Sequence, residues 1–147
     1  IQVICFLEFY EKAIEENPHN KHAYANLGST LLYRDTKRAK EYLQKAVKID
    51  PEHDSALIEL GKIDKSEGNT VAAQVKFRKA YDLYLKQWKT NSLPKYAYGW
   101  FATVAEELEE NNFAKEIRAS APKTESEAYY NKENLSMTKT KVLTNNN

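Results

Sequence analysis

Apolar residues recur along most of the chain at the three- and four-residue spacing that is typical of amphipathic helices. In the segment 21–34, Tyr24, Leu27, Gly28 and Leu31 lie on one face of such a helix. The next helix presents a facing stripe of small and large apolar residues, namely Ala39, Leu43 and Ala46. The pattern predicts two antiparallel helices that pack closely, because Gly28 lets the partner helix approach.

The same pattern returns after 33 or 34 residues. The recurring pairs are Pro18 and Pro51, Tyr10 and Leu43, Leu27 and Leu60, Gly28 and Gly61, and Ala39 and Ala73. A period of this length indicates a stacked array of similar helical units rather than a closed globule. We therefore predict a helical repeat domain over 1–120. It comprises a partial repeat 1–20, repeats 21–53 and 54–90, and a degenerate repeat or cap 94–120.

The pattern resembles the tetratricopeptide repeat, whose signature combines a large residue, Leu-Gly, two spaced alanines, an aromatic residue and a closing proline. One match is formed by Tyr24, Leu27, Gly28, Ala39, Leu43, Ala46 and Pro51. A second is formed by Leu57, Leu60, Gly61, Ala73, Phe77 and Ala80. The resemblance implies an all-α fold, a right-handed solenoid of antiparallel helix-turn-helix hairpins whose first helices line a concave groove.

Local signals predict where individual helices begin and end. Asn20 and Asp54 precede the two complete first helices, and both are expected to cap them. The apolar stripe of the helix that follows Gly68 continues as far as Trp88, so we expect that helix to be elongated. Asn111-Asn112 is expected to form the turn of the last hairpin.

Aromatic residues are densest in the segment 81–101. The cluster comprises Tyr81, Tyr84, Trp88, Tyr96, Tyr98, Trp100 and Phe101. Aromatics at helical spacing usually belong to a core, so we interpret most of them as packing of the last hairpin on the long helix. Trp100 is the member that we expect to face a partner.

The two ends of the chain differ from its centre. The segment 121–147 is rich in Lys, Thr, Ser, Glu and Asn, which predicts a disordered polar tail. The chain starts at Ile1 inside a helix, which suggests a piece of a longer protein. That first helix lacks a partner helix, so some of its apolar residues should be uncovered, among Val3, Phe6, Leu7, Tyr10 and Ile14. We therefore predict a weak homodimer through this helix. The alternative is that residues 1–17 pack against the following hairpin and leave little apolar surface exposed.

Composition narrows the classes of partner. The chain has 22 Lys and Arg against 21 Asp and Glu, a net charge of +1, so we expect no nucleic-acid partner. No stretch approaches the roughly 18 consecutive apolar residues of a membrane span, so we expect no membrane insertion. The single Cys5 cannot form an intrachain disulfide, which favours a cytoplasmic location.

Patterns that would indicate catalysis are missing from the sequence. His19, His22 and His53 do not have the spacing of a metal site. The acidic run 106–110 is typical of a solvated helix end rather than of paired catalytic acids. We therefore expect no enzymatic activity, no metal and no cofactor.

The face opposite the packing stripes predicts a partner-binding groove. Its residues are His22, Asn26, Ser29, Tyr33, Glu59, Lys62, Tyr96 and Trp100. The resemblance implies a protein-protein interaction scaffold or adaptor that holds a peptide or a partner helix there. Similar cochaperone domains clamp a C-terminal carboxylate with basic residues, but Ser55 and Glu59 stand at those positions, so acidic chaperone tails are not expected. The alternatives are a regulatory or targeting segment of a larger multidomain enzyme and a self-assembly module.

Overall fold

The computed structural model describes residues 2–122, with side chains from Cys5 onward. Within this range the chain forms seven α-helices and no strand, so the predicted all-α class is confirmed. The helices are α1 (Gln2–Glu16), α2 (Lys21–Leu31), α3 (Thr36–Ile49), α4 (Asp54–Ser66), α5 (Thr70–Lys89), α6 (Ala97–Glu107) and α7 (Asn111–Ser120). The predicted disordered tail falls outside the described residues, apart from Ala121 and Pro122.

The helices pack as a series of hairpins. Helix α2 pairs with α3, α4 pairs with α5, and α6 pairs with α7. Consecutive hairpins are joined by contacts of α3 with α4 and of α5 with α6, while α1 packs on α2. Because each unit contacts its sequence neighbours, the arrangement is a helical-hairpin solenoid.

Two glycines set the distance between the helices of a hairpin. A Cβ atom built on Gly28 would lie 2.5 Å from Leu43 Cγ and 3.1 Å from the carbonyl oxygen of Ala39. A Cβ atom built on Gly61 would lie 2.6 Å from Phe77 Cε1. These separations are too short for a side chain, so the predicted close approach at Gly28 is confirmed and recurs one hairpin later.

The helix caps agree with the sequence at one of the two predicted positions. Asn20 caps α2, because its side-chain oxygen accepts the Ala23 N–H at 3.1 Å. The prediction for Asp54 is wrong, since the residue before it takes this role. The His53 ring nitrogen Nδ1 accepts the Ala56 N–H at 3.5 Å, and Asp54 is the first residue of α4. A carboxylate in the first turn is favourable there because it faces the positive end of the helix dipole.

Two helix boundaries also differ from the prediction. Helix α2 ends at Leu31 rather than near Arg34, so Tyr33 lies in the following turn. The last hairpin turns at 108–110 rather than at Asn111-Asn112, which begin α7. Glu109 supplies the reversal with a left-handed backbone, at φ 65°. The elongated α5 extends to Lys89, as predicted.

The aromatic cluster packs the last hairpin on α5. Tyr81, Tyr84 and Phe101 are buried, and the Tyr81 and Phe101 rings meet at a centroid distance of 5.4 Å. Trp88 contacts Phe113 edge to face at 5.2 Å. The core interpretation is therefore confirmed for these residues, whereas Tyr96 is 73% exposed and does not belong to the core.

Candidate functional site

The first helix of each hairpin is linked to the first helix of the next hairpin by side-chain contacts. We call the outward side chains of α2, α4 and α6 the first-helix face. Across the boundary between α2 and α4, the His22 and His53 rings approach to 3.3 Å. Across the boundary between α4 and α6, Lys65 Nζ lies 2.6 Å from Glu107 Oε2. These contacts link α2 to α4 and α4 to α6, and a groove formed by the three segments remains a prediction.

The α2 part of the first-helix face is open to solvent. His22, Asn26 and Ser29 are all exposed. The side chains of Asn26 and Ser29 make no hydrogen bond to any described residue, so their polar groups are available. Tyr33 is 91% exposed, but it lies beyond the end of α2 and not on the helix itself.

The α4 part differs from the expectation in the exposure of the Glu59 side chain. This residue is only 6% exposed, so the exposure expected for it is wrong. Burial raises the pKa of the Glu59 carboxyl above its ordinary value, and the charge of Lys62 offsets part of that increase. The carboxylate oxygen Oε2 is buried and has no hydrogen-bond partner among the described residues. Glu59 is therefore a buried carboxylate whose loss of hydration is only partly compensated by its neighbours.

Lys62 covers this carboxylate and also reaches α6. Its Nζ lies 3.8 Å from Glu59 Oε1 and 4.8 Å from the centroid of the Trp100 ring. Trp100 is half-buried, and the Lys62 ammonium lies over the face of its ring. The structure thus brings together three of the predicted groove residues as one cluster, which we call the Lys62 cluster (Glu59, Lys62 and Trp100).

The α6 part adds one open aromatic side chain. Tyr96 precedes the first residue of α6 and is 73% exposed. One turn after Trp100, the Thr103 hydroxyl donates to the Gly99 carbonyl at 3.0 Å, so it is already satisfied. Of the two predicted contacts near α6, Tyr96 is therefore more exposed than Trp100, whose ring faces Lys62.

A pair of histidines marks the boundary of α2 and α4. Because His53 Nδ1 accepts the Ala56 N–H, the neutral His53 ring carries its proton on Nε2 and donates it to His22 Nδ1. Burial lowers the pKa of His53 below its ordinary value of 6.5, and the neighbouring His22 lowers it further. The capping geometry thus depends on a neutral His53.

Asp64 is a buried charge that the sequence analysis missed. Its carboxylate lies 2.5 Å from Lys76 Nζ and 3.6 Å from Lys40 Nζ, so it joins α4 to α5 and α3. The available signal was its register, because Asp64 falls on the packing stripe that runs through Leu57 and Gly61. A charged residue in such a stripe indicates an internal ion pair.

The described residues contain neither a metal-ligand cluster nor a helix able to cross a membrane. In the part of the chain that the structure describes, no group of three or more His, Cys, Asp or Glu side chains is placed to hold a metal ion. None of the helices over residues 2–122 combines the length and apolar character that a membrane crossing requires.

The fold defines the chain as an all-α solenoid of helical hairpins with an open first-helix face. No family model matches the sequence, and no curated protein matches it either. Among solved structures the chain is similar to one described as the crystal structure of MamA, with 24% sequence identity and a TM-score of 0.48. The similarity covers 76% of this chain and 61% of that chain, so this chain spans about three fifths of the MamA chain.

Proposed function

We propose that this chain is a protein-protein interaction scaffold or adaptor that binds a peptide or a partner helix on its first-helix face. The observation that carries the proposal is the open polar surface of α2, where the side chains of Asn26 and Ser29 have hydrogen-bonding groups that no described residue uses. An asparagine amide offers two donors and one acceptor. It therefore suits the backbone of an extended segment, whose N–H and C=O groups need partners when they leave water.

The adjoining first helices support a site of useful length. Helix α2 contributes His22, Asn26 and Ser29, and the Lys62 cluster and Tyr96 continue the surface across α4 and α6. An aromatic ring beside polar groups is characteristic of interfaces, because it buries a large area at a small cost in side-chain entropy. The net charge of +1 supplies no long-range attraction to a polyanion, so short-range recognition of a protein segment is favoured.

The substitution Asn26→Ala tests this proposal. A partner is first obtained by pull-down with the chain and then measured by titration calorimetry. Asn26→Ala should weaken binding by about 1–3 kcal/mol, because the partner's buried polar group loses its hydrogen bond. Circular dichroism should be unchanged, since Asn26 is exposed.

The matched control is Gln44→Ala. Gln44 is an exposed amide on α3, the second helix of the same hairpin. It should leave the affinity unchanged. Equal affinities of the parent and Asn26→Ala, or a larger loss with Gln44→Ala, would place the interface elsewhere.

A second candidate function is self-assembly through α1. Phe6 is 48% exposed and Phe9 is 66% exposed, and the spacing of three residues places both on one side of the helix. Two such copies can bury the same patch symmetrically. Sedimentation at tens of micromolar, a concentration range that detects weak dimers, should show a dimer that Phe6→Glu,Phe9→Glu converts to a monomer. The control Val75→Glu, at an exposed position of α5, should leave the dimer intact. A parent chain that sediments as a monomer would remove this candidate.

A further inference from the structure

The boundary between α4 and α6 holds one cation against two groups that attract cations. The Lys62 ammonium lies 4.8 Å from the Trp100 ring centroid and 3.8 Å from Glu59 Oε1. An indole face attracts a cation through its quadrupole, and a carboxylate attracts it through its charge. The Lys62 cluster therefore has the composition of a cation subsite that a side chain of the same protein fills.

The fit of Lys62 to this subsite is incomplete. Its separation of 3.8 Å from Glu59 Oε1 is longer than a hydrogen bond, and Oε2 of the same carboxylate is buried without a partner among the described residues. A buried carboxylate that lacks hydrogen bonds is costly, so a cation that bonds to both oxygens would be favoured over Lys62.

Asp64 shows that the same fold can satisfy a buried carboxylate. Its side chain is 8% exposed, as is that of Glu59, yet a lysine of the neighbouring helix bonds to it at 2.5 Å. Glu107, one turn further along the α4–α6 boundary, is likewise paired with Lys65 at 2.6 Å. Among these three acids, Glu59 is thus the one with a buried carboxylate oxygen that accepts no hydrogen bond from a described residue.

We propose that Glu59 and Trp100 form a subsite for an arginine side chain of the partner, and that Lys62 occupies this subsite in the unbound chain. The proposal deepens and rests on the proposed function, because the subsite lies on the first-helix face. The Lys62 ammonium makes no hydrogen bond shorter than 3.8 Å to Glu59, and the Lys62 side chain is 32% exposed. The side chain can therefore move into solvent when the partner enters.

Arginine fits the subsite better than lysine does. A planar guanidinium stacks on an indole and donates two parallel N–H bonds to one carboxylate, a geometry that suits a carboxylate with an unsatisfied oxygen such as Glu59. An ammonium group donates from a single point, and the Lys62 ammonium lies 3.8 Å from Oε1 while Oε2 has no partner among the described residues. The subsite therefore predicts that arginine is preferred over lysine.

The test uses N-acetyl-arginine methylamide as the probe and the neutral isostere N-acetyl-citrulline methylamide as its control. Binding is followed by NMR at the indole N–H of Trp100, with Trp88, which packs against Phe113, as the internal reference. The arginine probe should shift the Trp100 signal saturably, and the citrulline probe should not. Removal of the competing cation in Lys62→Ala should tighten binding of the arginine probe by roughly three- to tenfold.

Two further variants complete the design. Lys65→Ala removes a neighbouring lysine that pairs with Glu107 rather than with Trp100, so probe affinity should stay at the parent value. Glu59→Gln,Lys62→Ala keeps the shape and removes the carboxylate charge, so it should lose the gain. Circular dichroism checks that each variant is folded.

The outcomes separate this inference from the proposed function. Equal responses to the arginine and citrulline probes in folded Lys62→Ala would overturn the subsite, as would no tightening relative to the parent. If the probes show either of these results while a partner's affinity depends on Asn26, the proposed function stands and the subsite fails. If the probes behave as expected but partner affinity is insensitive to Asn26, the subsite stands and the α2 surface is not the binding site.

Discussion

The substitution Gly28→Ala adds one methyl group at a close contact between α2 and α3. The new Cβ would lie 2.5 Å from Leu43 Cγ and 3.1 Å from the Ala39 carbonyl oxygen. Leu43 is fully buried, and its Cγ is close to its own backbone, so the side chain cannot simply rotate away. Extra volume in a packed core costs about 1–3 kcal/mol.

Helix propensity opposes this steric effect. Replacing glycine by alanine inside a helix is worth up to about 1 kcal/mol in the other direction. The control Gly99→Ala separates the two contributions, because a Cβ on Gly99 of α6 meets nothing within 4 Å. We expect Gly28→Ala to be less stable than Gly99→Ala by about 1–3 kcal/mol.

Urea unfolding followed by circular dichroism measures this difference. A double-mutant cycle with Leu43→Ala then tests the cause. Leu43→Ala should cost about 2–5 kcal/mol in the parent chain and less in the Gly28→Ala chain, since it removes the clash. Equal stabilities of Gly28→Ala and Gly99→Ala, or strict additivity in the cycle, would refute the packing of α2 on α3 described above.

Two further predictions concern buried polar groups. The pKa of His53 is lowered by burial and by His22, so neutral His53 contributes stability above pH 6.5 that is lost as the pH falls through its folded pKa. In the parent chain, the urea concentration at the unfolding midpoint should fall between pH 7.5 and pH 5. The fall should be smaller in His53→Asn, which cannot be protonated but retains a capping group. The other charged groups that face the His53 ring are Lys21, Asp50 and Asp54. Asp64→Ala should cost about 2 kcal/mol, because Lys76 loses a charge-assisted hydrogen bond and Lys40 loses one of its two acidic partners. Glu67→Ala removes only the exposed partner of Lys40 and should cost at most about 1 kcal/mol; equal losses would refute a special role of Asp64.

The hairpin packing was predictable from the sequence because sterics restrict the contact positions. Gly28 and Gly61 recur with the large residues Leu43 and Phe77 at matching spacing, and the structure places each glycine against its large residue. Helical periodicity identifies such a stripe from one helix alone. The division into repeats 21–53 and 54–90 remains a prediction, whereas the hairpins themselves are observed.

The details that sequence reasoning missed depend on the neighbouring hairpin. Periodicity places Glu59 opposite the packing stripe of α4, but its side chain is buried, beside a Lys62 ammonium that also lies over the α6 residue Trp100. Contacts between hairpins are not encoded in the pattern of a single helix, which is why the burial of Glu59 was not predicted. The cap at His53 instead of Asp54 is a separate and local difference, a shift of one residue that propensity does not resolve.

The central claim is that a partner segment lies on the first-helix face, and site-specific crosslinking to the purified partner measures this most directly. A photoreactive residue would replace Ser29, which is exposed on α2, or Gln44, which is exposed on α3, in otherwise identical chains. We predict that the Ser29 position crosslinks to the partner and that the Gln44 position does not. Crosslinking from Gln44 alone, or equally from both positions, would contradict the claim.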